Sequence, residues 1–148
     1  MTDGYHSQIY KIAPCGTATV FTSDPRFGGK QGAIGLTGLD YHPSGFIIAV
    51  NHYGLLFKVP LNQPNQATGI QLPSPIVDAR SINFLSNGNI LVVLSSGVVE
   101  LSSVDDWKTA SIVNEVKSSF FGSAAATVRN GKVYLVQTEA NQIEELSL

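Results

Sequence analysis

At 148 residues, with a formal net charge of −2 and 14% charged side chains, the chain has the size of one ordinary domain, without the basic field of a nucleic-acid binder or an acidic tail. No apolar run approaches the ~20 residues that span a bilayer, and "MTDGYHSQIYKI" is not a basic-then-apolar leader, so a soluble chain with no membrane partner is expected. The single cysteine, Cys15, and the lack of any Asn-x-Ser/Thr sequon mark no oxidising compartment, which makes the cytoplasm the default expectation.

From the N-terminus, "QIYKIAP" (8–14) and "ATVFTSD" (18–24) read as two short strands around a turn that holds Cys15. No histidine or basic residue adjoins that thiol, which reads as inert. "RFGGKQGAIG" (26–35) is polar and glycine-rich and reads as an inserted, mobile loop, either a surface insertion or a lid. The next stretch sets the problem of the fold. Phe46 to Val50 are five consecutive apolar residues, and a strand with one wetted face would alternate instead.

Three turn motifs recur at one interval: "HPSG" ending at Gly45, "LSNG" at Gly88 and "VRNG" at Gly131, each 43 residues after the last. An apolar run follows each one: 46–50, 89–94 and 132–136. A second break comes nine residues beyond each glycine, at Gly54, Gly97 and Ala140, and a third segment follows it, 55–59, 98–101 or 141–146. With "GLDY", "SINFL" or "AATV" before the turn, and 67–72 or 110–116 as a fourth strand, each unit is a four-stranded antiparallel meander. The Asn-Gly pairs at 87–88 and 130–131 predict type I′ hairpins. No stretch has helical periodicity with a cap.

A four-stranded repeat of this length whose two faces are packed by neighbouring copies is the blade of a β-propeller. The fold expected is therefore all-β, a propeller portion occupying 1–148 as a single unit: a partial blade at 8–24, blades at 35–72 and 79–116, and a partial blade at 123–148. Strands number two, four, four and three. A ring typically needs four to eight blades, so completion to about six is expected, by a second copy in a homo-oligomeric dimer or by the remainder of a longer chain.

The segments "GLTGLDYHPSGFIIAV", "GLLFKVPL" and "LSSVDDWKTASIVNEV" resemble the six-bladed propellers of the gluconolactonase, regucalcin and strictosidine-synthase-like superfamily. That resemblance implies a small-molecule ligand over the central channel, lactone or ester hydrolysis where the channel is catalytic, and a divalent cation such as Ca²⁺ held near the starts of the innermost strands. At the matching positions this chain has Thr37, Arg80 and Ser123. These are not a competent ligand set, because Ca²⁺ takes six to eight oxygens and a guanidinium repels it, so no metal ligands are assigned.

Residues over the channel lie where strand four meets strand one and where strand two turns into strand three. Thr37, Asn51, Asp78, Arg80, Ser123 and Glu139 are the ligand-binding candidates there, with Ser95, Ser96, Gln137 and Thr138 in the same loops. His52, Glu139 and Arg80 are the candidates for catalysis: His52 as a base, Glu139 as a channel carboxylate, and Arg80, beside Asp78, as a fork for an anionic or carbonyl group. Each has a structural alternative: a solvated turn for His52, a hydrated rim of Glu139, Glu144 and Glu145, and a salt bridge for Asp78 and Arg80. His6 and His42 have no acidic neighbour in sequence, and His42 reads as turn scaffolding with Pro43. Asp105 and Asp106 read as turn caps beside a covering Trp107. Two functions remain open on these residues, a ligand-binding propeller with lactonase or esterase chemistry and a non-catalytic scaffold or protein-binding module.

Overall fold

In a computed structural model that describes residues 1–28 and 34–148, the strands group into four antiparallel sheets. The first holds β1 (Thr2–Asp3), β2 (Gln8–Ile12) and β3 (Ala18–Ser23); the second holds β4 (Leu36–His42), β5 (Phe46–Asn51), β6 (Leu56–Pro60) and β7 (Thr68–Ile70). The third contains β8 (Ala79–Phe84), β9 (Ile90–Leu94), β10 (Gly97–Ser102) and β11 (Ser111–Lys117), and the fourth β12 (Ser123–Arg129), β13 (Lys132–Gln137) and β14 (Gln142–Ser147). Spatial order follows chain order in every sheet, as meanders closed by short turns must. At Asn130-Gly131 both residues have positive φ, 52° and 75°, as a type I′ turn requires. The turn at Asn87-Gly88 differs from expectation. Gly88 alone takes positive φ, 86°, and its N–H closes on the Leu85 carbonyl at 3.0 Å, so the loop is a longer turn ending in a left-handed glycine.

Strand β5 shows what covers consecutive apolar positions. All six of its residues are buried, and alternate side chains enter different cores. Phe46, Ile48 and Val50 pack with Ile82, Ile90, Val92 and Trp107 towards the third sheet. Ile47 and Ala49 pack with Ile9, Phe27 and Phe57 towards the first. Strand β9 repeats the pattern one blade on: Ile90 and Val92 share the core with β5, while Leu91 and Val93 join Val133 and Leu135 of β13. Each of the two middle sheets is thus sandwiched by its neighbours, and period-2 geometry sends odd and even residues into two separate interiors.

The end sheets define the blade register. Backbone bonds link the turn after each second strand to the start of the next blade: Gly4 O accepts from Gly35 N (2.6 Å), His52 O from Asp78 N (2.8 Å) and Ser95 O from Gly122 N (2.9 Å). Gly4 therefore stands where His52 and Ser95 stand, and β1 is the tail of a second strand. The strand count is three, four, four and three, one more than expected, and the first blade begins before residue 8. Two polar residues are too few to show alternation, which hides β1 from a pattern reading.

Helix is confined, among the described residues, to one 3-10 turn, Pro25–Phe27. Asp24 caps it by accepting from Arg26 N, and its last residue, Phe27, is wholly buried. Phe27 meets the Phe57 ring edge-on at 5.1 Å, so this end of the expected loop at 26–35 is packed into the core; residues 29–33 of that loop lie outside those described. At the other side of the blades, Lys58 of β6 reaches Asp106 with an ion pair of 2.7 Å and covers the Phe46 ring at 4.4 Å.

Candidate functional site

The inner strands β4, β8 and β12 share one irregularity. Opposite each second strand the pairing skips one residue near the start: Leu36 and Gly38 pair with Asn51 and Val50, Ala79 and Ser81 with Leu94 and Val93, and Ser123 and Ala125 with Gln137 and Val136. The skipped residues are Thr37, Arg80 and Ala124. A bulge of this kind re-aims the extra side chain, and all three line a single cleft of about 440 Å³. The inner strands also run close together: a Cβ on Gly38 would lie 2.9 Å from the Ser81 Cα, so glycine permits the approach.

Thr37, Arg80, Ser123 and Glu139 of the sequence-derived set all border this cleft, whereas Asn51, His52 and Asp78 do not. Ser123 is one register position earlier than Thr37 and Arg80. It is 2% exposed, and its hydroxyl is 3.1 Å from Gln137 Oε1. The 44-residue step from Arg80 to Ala124, against 43 between the turn glycines, explains why counting from the turn selects Ser123.

Three cleft hydroxyls already donate to the protein: Thr37 to Val50 O (3.3 Å), Ser123 to Gln137, and Thr138 to Gly122 O (2.8 Å). Arg80 is held from one side, its Nη2 lying 2.8 Å from Asp78 Oδ1, while its buried Nε has no hydrogen-bond partner among the described residues. Asp78 sits at φ 65°, in a turn anchored by its N–H on His52 O, and it serves Arg80 from outside the cleft. His52 Nδ1 is 3.4 Å from the same Asp78 oxygen, but without hydrogen-bond alignment. Glu139 is exposed, lies against Gly122 and makes no ion pair among the described residues. The charged side chains of the lining are therefore the Arg80 guanidinium and the Glu139 carboxylate, and at its border the Thr2 and Tyr5 hydroxyls make no hydrogen bond among the described residues.

Other candidates have structural roles. Asn51 is fully buried and its Oδ1 accepts from Tyr53 N (3.1 Å) and Leu55 N (3.0 Å), closing the turn after β5. Gln137 is buried, its amide donating to Ser118 and to Glu144 Oε2. Burial pushes the Glu144 carboxyl up, but donors from Ser118, Ser119 and Gln137 more than offset it and leave the group lowered. His42 accepts from Ser44 N (3.2 Å) and stacks on Phe46 at 4.5 Å. His6 does have an acidic partner, Asp3 Oδ2 at 2.9 Å, because the turn after β1 folds back. Cys15 is exposed, and the Thr17 hydroxyl lowers its thiol pKa, a local effect that the search for a charged neighbour missed.

Sequence reasoning also missed the apolar border of the cleft: Tyr5, Ile34, Leu36 and Phe121. Tyr5, Ile34 and Phe121 are 74%, 43% and 62% exposed. The available signal was positional, since Ile34 and Phe121 each precede the residue whose N–H bonds to the previous blade.

The divalent cation implied by the resemblance does not fit. Its three inner-strand positions present a hydroxyl, a guanidinium and a methyl group, and no cluster of three or more metal-ligating His, Cys, Asp or Glu occurs among the described residues. No step is routed through a metal.

No family model matches the chain, and no curated protein matches it. Solved structures do. Virginiamycin B lyase from Staphylococcus aureus is similar over 99% of this chain and 50% of its own, at 15% identity and a TM-score of 0.62. The major allergen Mala s 1 of Malassezia sympodialis is similar over 96% of this chain and 47% of its own, at 18% identity and a TM-score of 0.69. A candidate 6-phosphogluconolactonase from Bacteroides uniformis matches over 93% and 49%, at 15% identity and a TM-score of 0.54. At such identities the likeness shows the fold alone: this chain is a β-propeller portion, spanning about half the length of those propellers. No helix among the described residues is long and apolar enough to cross a membrane.

Proposed function

We propose that the cleft over the inner strands binds a small molecule bearing a carbonyl oxygen, and that the chemistry it supports is hydrolysis of a lactone or ester. The observation that carries this reading is the convergence of the bulged residues Thr37 and Arg80 with Glu139 in one cleft. Arg80 donates to the carbonyl oxygen as negative charge grows on it, and Asp78 fixes the guanidinium. Glu139, with no ion pair among the described residues, accepts a proton from the water as it attacks the carbonyl carbon, and returns it to the alkoxide oxygen when the acyl C–O bond breaks. A lyase and a candidate lactonase among the fold's neighbours support a channel of this shape as a site for chemistry. The test is a panel of lactones and esters assayed with the wild type, Arg80→Gln and Glu139→Gln. Loss of roughly 100-fold in rate in each variant, with melting temperature unchanged, is expected. A panel that is neither bound nor hydrolysed overturns the reading.

A second reading, an assembly module without catalysis, is favoured by a specific observation. Neither end sheet has its fourth strand among the described residues. Stable self-association together with an inert cleft would support it, and the cytoplasm stays the proposed compartment under both.

A further inference from the structure

We infer that the ligand of this cleft is an apolar molecule with a single carbonyl acceptor, not a polyhydroxylated sugar lactone; the inference rests on the proposed carbonyl-binding role and narrows its substrate class. Recognition of several sugar hydroxyls needs several unengaged donors and acceptors, since buried polar groups without partners are costly. Here the Thr37, Ser123 and Thr138 hydroxyls are turned to Val50 O, Gln137 Oε1 and Gly122 O. Their hydrogens are committed, the third bulge, where Arg80 has its counterpart, supplies only the Ala124 methyl, and the unengaged hydroxyls among the described lining residues, those of Thr2 and Tyr5, both belong to the first blade.

Around these groups the cleft has an apolar border. Tyr5, Ile34 and Phe121 stand exposed around it, with the buried Leu36 beneath. They come from two blade junctions, Tyr5 and Ile34 from the first and Phe121 from the third, so the apolar border belongs to the cleft and not to one loop. The two charged residues of the lining, Arg80 and Glu139, have opposite sign, which favours an uncharged ligand over an anion. One guanidinium, partly exposed and held by Asp78, matches one carbonyl oxygen.

The experiment compares δ-decalactone, δ-gluconolactone and 2-pentyltetrahydropyran, the cyclic ether that keeps the alkyl body and lacks the carbonyl, by calorimetric titration of the 148-residue chain. Decalactone is expected to bind at least about tenfold more tightly than gluconolactone, because its alkyl chain buries several methylenes. Phe121→Ser and Tyr5→Ser, at exposed positions that the fold does not need, should each weaken decalactone by about three- to tenfold without moving gluconolactone. Arg80→Gln should weaken decalactone and leave the ether unaffected. Gluconolactone binding as tightly as decalactone, or decalactone insensitive to both border variants, overturns the inference while the proposed function stands. Absence of binding by either lactone overturns both.

Discussion

At the scale of single residues, the loop after β10 shows how a carboxylate holds a strained turn. Asp106 and Trp107 both adopt positive φ, 60° and 63°, a conformation that costs non-glycine residues about 1–2 kcal/mol each. Asp105 stabilises the loop by accepting from Lys108 N (3.1 Å), Thr109 N (3.0 Å) and the Thr109 hydroxyl (2.8 Å). The Thr109 N–H is the largest of the causes that lower the Asp105 carboxyl from 3.8 to about 2. The folded value lies below the unfolded one, so as pH falls the unfolded chain binds the proton first. The stabilisation is complete above 3.8 and is lost as pH descends through about 2. Asp105→Asn keeps the shape and does not titrate. Its melting temperature is expected to lie below that of the wild type at neutral pH, with the gap closing between those two values; a gap that stays constant with pH would disprove the account. In the same turn Trp107 meets Phe84 edge-on at 6.0 Å, so the acid-sensitive cap anchors a core residue.

At the scale of the strand, β-branched aliphatic side chains have different consequences in β5 and β13. Ile48 is fully buried between two blades, whereas Val136 is 42% exposed on the outer face of the last sheet. Truncating Ile48 to alanine should cost about 2–5 kcal/mol through lost burial and an unfilled cavity. Val136→Ala should cost less than about 1 kcal/mol. Urea midpoints measure both, and comparable losses would mean that β13 is covered as fully as β5. The apolar run at 46–50 and the 43-residue spacing were legible because they are periodic, and periodicity survives in a single sequence. The bulges were not. A skipped pair leaves no compositional trace, so the fold was read correctly while Ser123 was placed where Ala124 lies. His6 with Asp3 and Phe27 with Phe57 were hidden for a related reason: the first depends on a tight turn, and the second joins residues thirty apart with no repeat to relate them. The cleft was half visible: its charged members were flagged by their position at the blade junctions, whereas its apolar border carried no pattern, Ile34 falling in the expected loop at 26–35 and Tyr5 and Phe121 in segments given no role.

At the scale of the whole molecule, an end sheet differs from the middle ones. The outer face of the last sheet carries Ala125, Tyr134, Val136 and Ile143, the last 68% exposed, beside a Lys132–Glu145 ion pair. Every interior face between blades is instead filled by the neighbouring sheet. The propellers of similar fold are about twice as long as this chain, so two copies match the length of one such propeller, and in a longer protein further blades would cover the same faces. Under the assembly reading, the 148-residue chain associates through these faces, because water against mixed apolar sheet surfaces and free strand edges is unfavourable. Sedimentation velocity should then show a species heavier than one chain, and Val136→Lys with Ile143→Lys should shift it towards the single-chain mass, since lysine ammonium groups are costly to bury without partners. The two positions face solvent in the isolated chain, so the double variant should keep its melting temperature at high dilution. A wild type that sediments as one chain at every concentration would sink the assembly reading and leave the cleft chemistry to be judged on its own.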